Sequence, residues 1–206
     1  MAEFKSSVLT VPAGLSGSSS AVDGSSGAVA LSGAVALSDE SAATKMVVRS
    51  DTTQFGVTFG TSGSSDGAIV LGSRPDEWYL IGEVAAVEAA SAKLDHSGFT
   101  TTVDHTHARA MLRVSGGSAT SVLEKVCSID FSDDMMPNGA VVSASVAKVT
   151  CDIARSDLGV VDDGDDGDDV DGGDDGEQSY LLLCDRSFAD YLFRALVDSA
   201  NEFNNP

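Results

Sequence analysis

AIVLGSRPDEWYLIGEVAAVEAASAKL, Ala68–Leu94, decides the fold class. Two short apolar runs, AIVLG and EWYLIG, are separated only by SRPD. Pro75 presets φ for a turn and Asp76 suits the position after it, so the two runs are expected to fold back on each other as a hairpin. In the second run Trp78 and Leu80 share one face and Tyr79 and Ile81 the other, and both faces are expected to be covered. Val84, Val87, Ala90 or Ser91, and Leu94 then fall at helical spacing, with Ser97-Gly98 as the stop.

The same pattern extends in both directions. KMVVRS, Lys45–Ser50, is a short run with β-branched residues and reads as a strand. GTSGSSDG, Gly60–Gly67, reads as a surface loop. FTTTVDHTHARAMLRVSG holds two strands with a break near Thr106. GGSATSVLEKVC is a helix whose stripe is Ala119, Val122, Leu123 and Val126. AVVSASVAKVTCDIAR reads as one or two strands, and SYLLLCD as a further strand paired with the one before it. RSFADYLFRALVDSANEF closes the chain as a helix, with Ser187 as its cap and Phe188, Tyr191, Leu192, Ala195, Leu196 and Ala200 as its apolar stripe. Three main helices among paired strands predict an α+β fold with mixed or antiparallel sheets and split β-α-β units, not a doubly wound parallel sheet.

Two segments stand apart by composition. Residues 1–44 are dominated by Gly, Ser and Ala, and SGAVAL occurs twice in tandem (Ser26–Leu31 and Ser32–Leu37). They are expected to form a flexible N-terminal arm that orders only against a partner, with GAVALSGAVAL pairing as a short strand as the alternative. The domain proper is expected over 45–206, as one body or two small lobes. It is interrupted at 160–178 by an acidic insertion whose like charges are too dense to pack.

The net charge is −20, from 32 acids against 12 bases. Ten of the acids lie between Asp162 and Glu177, which leaves 22 against 12, or −10, for the rest. Such a surface is a poor partner for nucleic-acid phosphate or anionic lipid, and it suits a protein working in high salt. No stretch is long and apolar enough to be expected to span a membrane. The opening MAEFKSSVLTVPAG has no apolar core of a signal peptide, so a cytoplasmic chain is expected. Cys127, Cys151 and Cys184 each sit in an apolar run without CxxC spacing, and they read as small buried hydrophobes.

Little in the sequence points to chemistry. No glycine-rich phosphate loop lies between a strand and a helix. A glycine or valine interrupts every calcium register from Asp162 to Asp175 in the acidic run. His105 and His107 share a strand face but lack a third ligand at close spacing. GxSxG is missing, and no serine or cysteine triad is visible. The most informative polar cluster is D-x-T-H-x-R, Asp104–Arg109, where an acid, a hydroxyl, an imidazole and a guanidinium crowd a strand start. Such a cluster either binds a carboxylate or pins a loop by charge-assisted hydrogen bonds, and pinning is the expectation.

A family resemblance adds to this. DHTHARAMLRVSGGSATSVLEKVCSIDF resembles the folate-binding T-protein (aminomethyltransferase) superfamily through Asp104, Thr106, His107, Val114, Gly116, Ala119, Leu123 and Asp130. The order KMVVRSD, LGSRPDEWYLIG, HTHAR, MMPNGAVVSASVAKV and SYLLLCDRSFADYLFRALVDSANEF looks like one branch, the gamma subunits of heterotetrameric sarcosine oxidases. The ending, with Ser179, Tyr180, Leu182, Arg186, Ser187, Phe188, Ala189, Tyr191 and Leu192, is its most specific part. The resemblance covers about Lys45 to Phe203 and leaves out the arm and the acidic insertion.

It implies a noncatalytic subunit of an enzyme that oxidises sarcosine to glycine and passes the one-carbon unit to tetrahydrofolate. Its partners would be alpha, beta and delta subunits, and the complex would use FAD, FMN, NAD and tetrahydrofolate, none of them bound by this chain alone. No catalytic, cofactor-binding or metal residues are expected here. Trp78, Asp104, His107, Arg109, Arg186 and Tyr191 are the structural or interface candidates. A stand-alone folate-binding or one-carbon-transfer protein and an acidic interaction module are the alternatives. The N-terminal catalytic aspartate of the aminomethyltransferases has no clear match, and the K-G-C-Y-x-G-Q-E motif of folate-dependent iron–sulfur repair proteins is absent.

Overall fold

The computed structural model describes residues 27–29, 35–158 and 177–204. The elements run β1 (Gly27–Val29), β2 (Ala36–Asp39), β3 (Thr44–Ser50), β4 (Ser62–Ser65), β5 (Ala68–Arg74), β6 (Glu77–Gly82), α1 (Val84–Ser91), β7 (Thr100–Asp104), β8 (Arg109–Ser115), α2 (Ala119–Val126), β9 (Val141–Val146), β10 (Val149–Arg155), β11 (Ser179–Asp185) and α3 (Ala189–Asn204). They build two sheets, six strands in the order β1-β2-β8-β11-β10-β9 and five in the order β4-β5-β6-β3-β7. Every pairing in both is antiparallel. The fold is α+β, as expected from the hairpin-then-helix reading. Strands β6 and β7 flank β3 and are joined through α1, which is a split β-α-β unit.

Strand parity assigns the layers. Along β6, Tyr79 and Ile81 join Val47 and Leu71 in a core shared with Met111, Ala154, Leu181 and Leu183 of the six-stranded sheet. Trp78 and Leu80 face the other way, with Val48, Val70 and the α1 residues Val87 and Ala90. Ala110, Leu112 and Val114 of β8 meet α2 and α3 through Val122, Leu123, Leu192 and Leu196. The four layers are therefore α2 with α3, the six-stranded sheet, the five-stranded sheet, and α1. Both faces of EWYLIG are covered, as expected.

Five expectations need correction. The stretch read as a flexible arm contains β2, which pairs with β8 (Leu37↔Val114) and buries Val35 and Leu37 in the main core. The strand alternative for GAVALSGAVAL holds over this part, where small residues had counted against it and only Val35 and Leu37 supply bulk. The stretch read as a surface loop contains β4, turned onto β5 by Asp66 and Gly67, both with positive φ. Asp-Gly is a strong two-residue hairpin signal, and the serines and glycines around it masked it. Helix α1 stops at Ser91, and Leu94 packs from the turn beyond it. Finally, Arg186–Phe188 form a 3-10 turn, so Ser187 sits inside a helical turn rather than capping one. Phe188 and Tyr191, expected in the apolar stripe, are exposed.

The pairing of β11 with β10 holds as expected, with Ile153 opposite Leu182. The β9–β10 turn is made by Ala147 and Lys148, both at positive φ, without the glycine such a turn usually recruits. The acidic insertion falls on residues outside those described, apart from Glu177, which bridges Leu158 at its base, and Gln178, whose carbonyl accepts the Gly116 N–H. The same holds for most of the arm. No helix among the described residues is long and apolar enough to cross a membrane.

Candidate functional site

The D-H-T-H-A-R corner is where the chain leaves the five-stranded sheet and enters the six-stranded one. Strand β7 ends at Asp104 and β8 begins at Arg109 in the other sheet. Asp104 Oδ1 accepts the Thr106 N–H at 2.8 Å, a two-residue turn that an aspartate makes with its own backbone. The Thr106 hydroxyl contact holds the Asp104 carboxyl below its usual range, with the backbone bond adding to it. Thr106 Oγ1 accepts the Lys45 N–H at 3.1 Å, and the His105 N–H donates to the Lys45 carbonyl at 2.8 Å. The Ala108 and Arg109 N–H groups both donate to the His105 carbonyl, and the Arg186 N–H donates to the Ala108 carbonyl at 3.0 Å. The corner is thus sewn to β3 on one side and to the end of β11 on the other.

Arg109 carries the electrostatics of this corner. Its side chain points between the sheets, where Nη2 lies 2.7 Å from Asp152 Oδ2 and 3.0 Å from the Leu183 carbonyl. Nη1 reaches Asp185 Oδ1 at 3.0 Å, and the guanidinium carbon stands 5.9 Å from the centroid of the Tyr79 ring. Asp152 is almost fully buried, so the pair is held in a low-dielectric layer. Burial also raises the Tyr79 hydroxyl pKa, against a lowering by Arg109. His105 lies 6.3 Å from the same ring. Its Nδ1 and Arg109 Nε are buried polar atoms without a partner among the described residues.

Lys45 completes the cluster. It is fully buried, and Nζ donates to the carbonyls of Ser41 at 2.9 Å and Ala43 at 2.7 Å. Burial, reinforced by nearby Arg186, lowers its pKa from 10.5 to about 8, while Asp39 and Asp104 oppose the shift. The folded pKa lies below the unfolded one, so below about pH 8 both states hold the proton and the buried charge weakens the fold. Between about 8 and 10.5 only the unfolded chain holds it, and stability rises with pH. Relative to Lys45→Met, the wild type should gain on the order of 2 kcal/mol between pH 7 and pH 10, after allowance for solvent screening. Urea unfolding of both proteins at the two pH values measures this, and parallel pH profiles would refute it.

The candidate residues from the sequence separate into three places. Asp104, Arg109 and the backbone of Arg186 meet at the corner. His107 is exposed beside it. Trp78 lies on the opposite face of the five-stranded sheet, buried, with Nε1 donating to the Val57 carbonyl at 2.8 Å. Tyr191 is on α3, where its hydroxyl donates to the Ala147 carbonyl of the β9–β10 turn at 3.0 Å. The sequence reading missed Lys45, Tyr79 and Asp152. Parity was the available signal: Lys45 shares a face with Val47, and Asp152 shares one with Ala154, so each was a charge placed on an inward-facing row.

Two further knots tie loops to the sheets. Arg113 Nε is 2.5 Å from Glu40 Oε1, and its Nη1 donates to Ser179 Oγ at 2.7 Å, which fixes the end of β2 and the start of β11 to β8. Arg155 holds Asp157, Asp133 and the Met136 carbonyl. All three thiols are free and buried. Among the described residues, no group of three or more His, Cys, Asp and Glu side chains is placed to hold a metal ion. The chemistry these groups perform is mutual neutralisation and backbone pinning.

No family model matches the chain, and no curated protein sequence matches it. Solved structures do. The chain is similar to a chain of heterotetrameric sarcosine oxidase from a Corynebacterium species, with TM-score 0.62 and 21% identity over 84% of this chain and 86% of that one. It is also similar to the glycine cleavage system aminomethyltransferase T from Bartonella henselae, with TM-score 0.52 and 13% identity. That match covers 80% of this chain but only 46% of the aminomethyltransferase. At these identities the likeness is one of fold: two antiparallel sheets with three helices, arranged as in sarcosine oxidase and T-protein structures.

Proposed function

We propose that the chain is a noncatalytic subunit, of the gamma type, in a sarcosine oxidase complex. The observation that carries this reading is the extent of the likeness: it spans most of both chains for the sarcosine oxidase and less than half of the aminomethyltransferase. The corner supports it. Arg109, Asp152, Lys45 and Asp104 are engaged with one another or with backbone. In this reading the alpha, beta and delta partners hold FAD, FMN, NAD and tetrahydrofolate. This chain supplies a packed surface on which they assemble, and they oxidise sarcosine to glycine.

The purified chain alone is expected to give no sarcosine-dependent hydrogen peroxide. Isolated from its native source, it is expected in a multi-chain assembly with flavin absorbance. Turnover by the single chain, or its recovery only as a monomer, would overturn the proposal. The likeness to the aminomethyltransferase favours a second reading, a stand-alone folate-binding protein. Micromolar binding of tetrahydrofolate by the isolated chain would select that one.

A further inference from the structure

Cys151 and Cys184 are Cα partners across the β10–β11 pair, at the middle of the six-stranded sheet. Both side chains fall on the helix-facing side, in the same core cluster, and both are free thiols with no exposed surface. Directly opposed residues of an antiparallel pair have Cα atoms about 4.5 or 5.5 Å apart. A disulfide accepts Cα separations of roughly 4.4–6.8 Å. The register therefore already satisfies the distance such a bond requires. Cys127 does not share it: its isolated bridge is to Val146 of β9.

We propose that Cys151 and Cys184 form a concealed dithiol, a site of intramolecular oxidation to which the folded sheet denies access. The oxidant class is a small-molecule disulfide. One cysteine thiolate attacks a sulfur of that molecule and expels one thiolate, and the second cysteine attacks the resulting mixed disulfide and expels the other. Two protein thiols become one S–S bond, two protons are released to solvent, and the oxidant leaves as two thiolates. Two features close the site in the folded protein. Neither sulfur meets solvent, and burial raises the thiols to about 12 for Cys151 and about 11 for Cys184, so the attacking thiolate is scarce at neutral pH. When β10 and β11 part, both obstacles vanish together. The strands then bring the two sulfurs face to face as they re-pair.

Refolding the full chain from urea with glutathione disulfide tests this. The expected product carries a Cys151–Cys184 link by peptide mass mapping, a free Cys127 and the native near-ultraviolet circular dichroism spectrum. The native protein in the same oxidant is expected to keep three titratable thiols and to oxidise on the order of 10³-fold or more slowly than the unfolded chain, following the scarcity of the opened state. Cys127→Ala should leave the link intact and Cys184→Ala should abolish it. A link through Cys127, a non-native spectrum in the linked protein, or native oxidation at the unfolded rate would each overturn the proposal.

Discussion

Arg109→Met is expected to destabilise the protein by about 3–5 kcal/mol. The reason is the partner left behind. Asp152 is 4% exposed, and its carboxylate meets Arg109 Nη2 at 2.7 Å between two sheets that exclude water. Without the guanidinium, the buried Asp152 carboxylate loses its paired charge and hydrogen bond, which weakens the fold. Asp185, 65% exposed, loses a contact that water replaces, so its share is small. The double substitution Arg109→Met with Asp152→Leu should recover most of the loss, because a desolvated pair can be exchanged for apolar side chains of similar volume at little net cost. The four proteins make a double-mutant cycle by urea unfolding, with an expected coupling of about 2 kcal/mol or more. A single-mutant cost under about 1 kcal/mol would place the pair in water, contrary to the geometry.

The same pair shows what a sequence can and cannot disclose. Asp104–Arg109 stood out because unlike polar groups were adjacent in the chain, and its role as a pin could be read there. Its main partner could not be: Asp152 is 43 residues from Arg109 and meets it only because β11 sits between β8 and β10. Sheet order is a non-local property, and two strands with the same parity pattern are compatible with many orders. The β5–β6 hairpin was legible because Pro75 and Asp76 announced it, whereas the Asp66-Gly67 turn between β4 and β5 was lost among serines and glycines. Ala147 and Lys148 announce nothing, so the β9–β10 break stayed open in the sequence. Helices were legible by period. Their outer ends were not: Phe188 fits the apolar stripe of α3 by spacing but lies in the 3-10 turn before it, and Tyr191, in the first turn of α3, is exposed with its hydroxyl on the Ala147 carbonyl.

Composition misled most at the N-terminus, and there the expected effect of one substitution separates the two readings. Leu37→Ala is expected to cost about 2–5 kcal/mol, the range for emptying a buried leucine site. Leu37 is 1% exposed, pairs opposite Val114 and packs in the cluster that joins the six-stranded sheet to α2 and α3. Around it the strand is held at several independent points: the Glu40 N–H on the Met111 carbonyl, Ser41 Oγ on the Met111 N–H, and the Glu40 carboxylate on Arg113. These restraints limit how far neighbours can collapse into the space the lost isopropyl group leaves, which keeps the cost in the upper part of the range. Had residues up to 44 been an arm outside the core, the same substitution would shift stability by no more than about 0.5 kcal/mol. Equilibrium urea unfolding of Leu37→Ala against wild type distinguishes the two. A shift that small would detach β2 from the core and return the start of the ordered domain to Lys45.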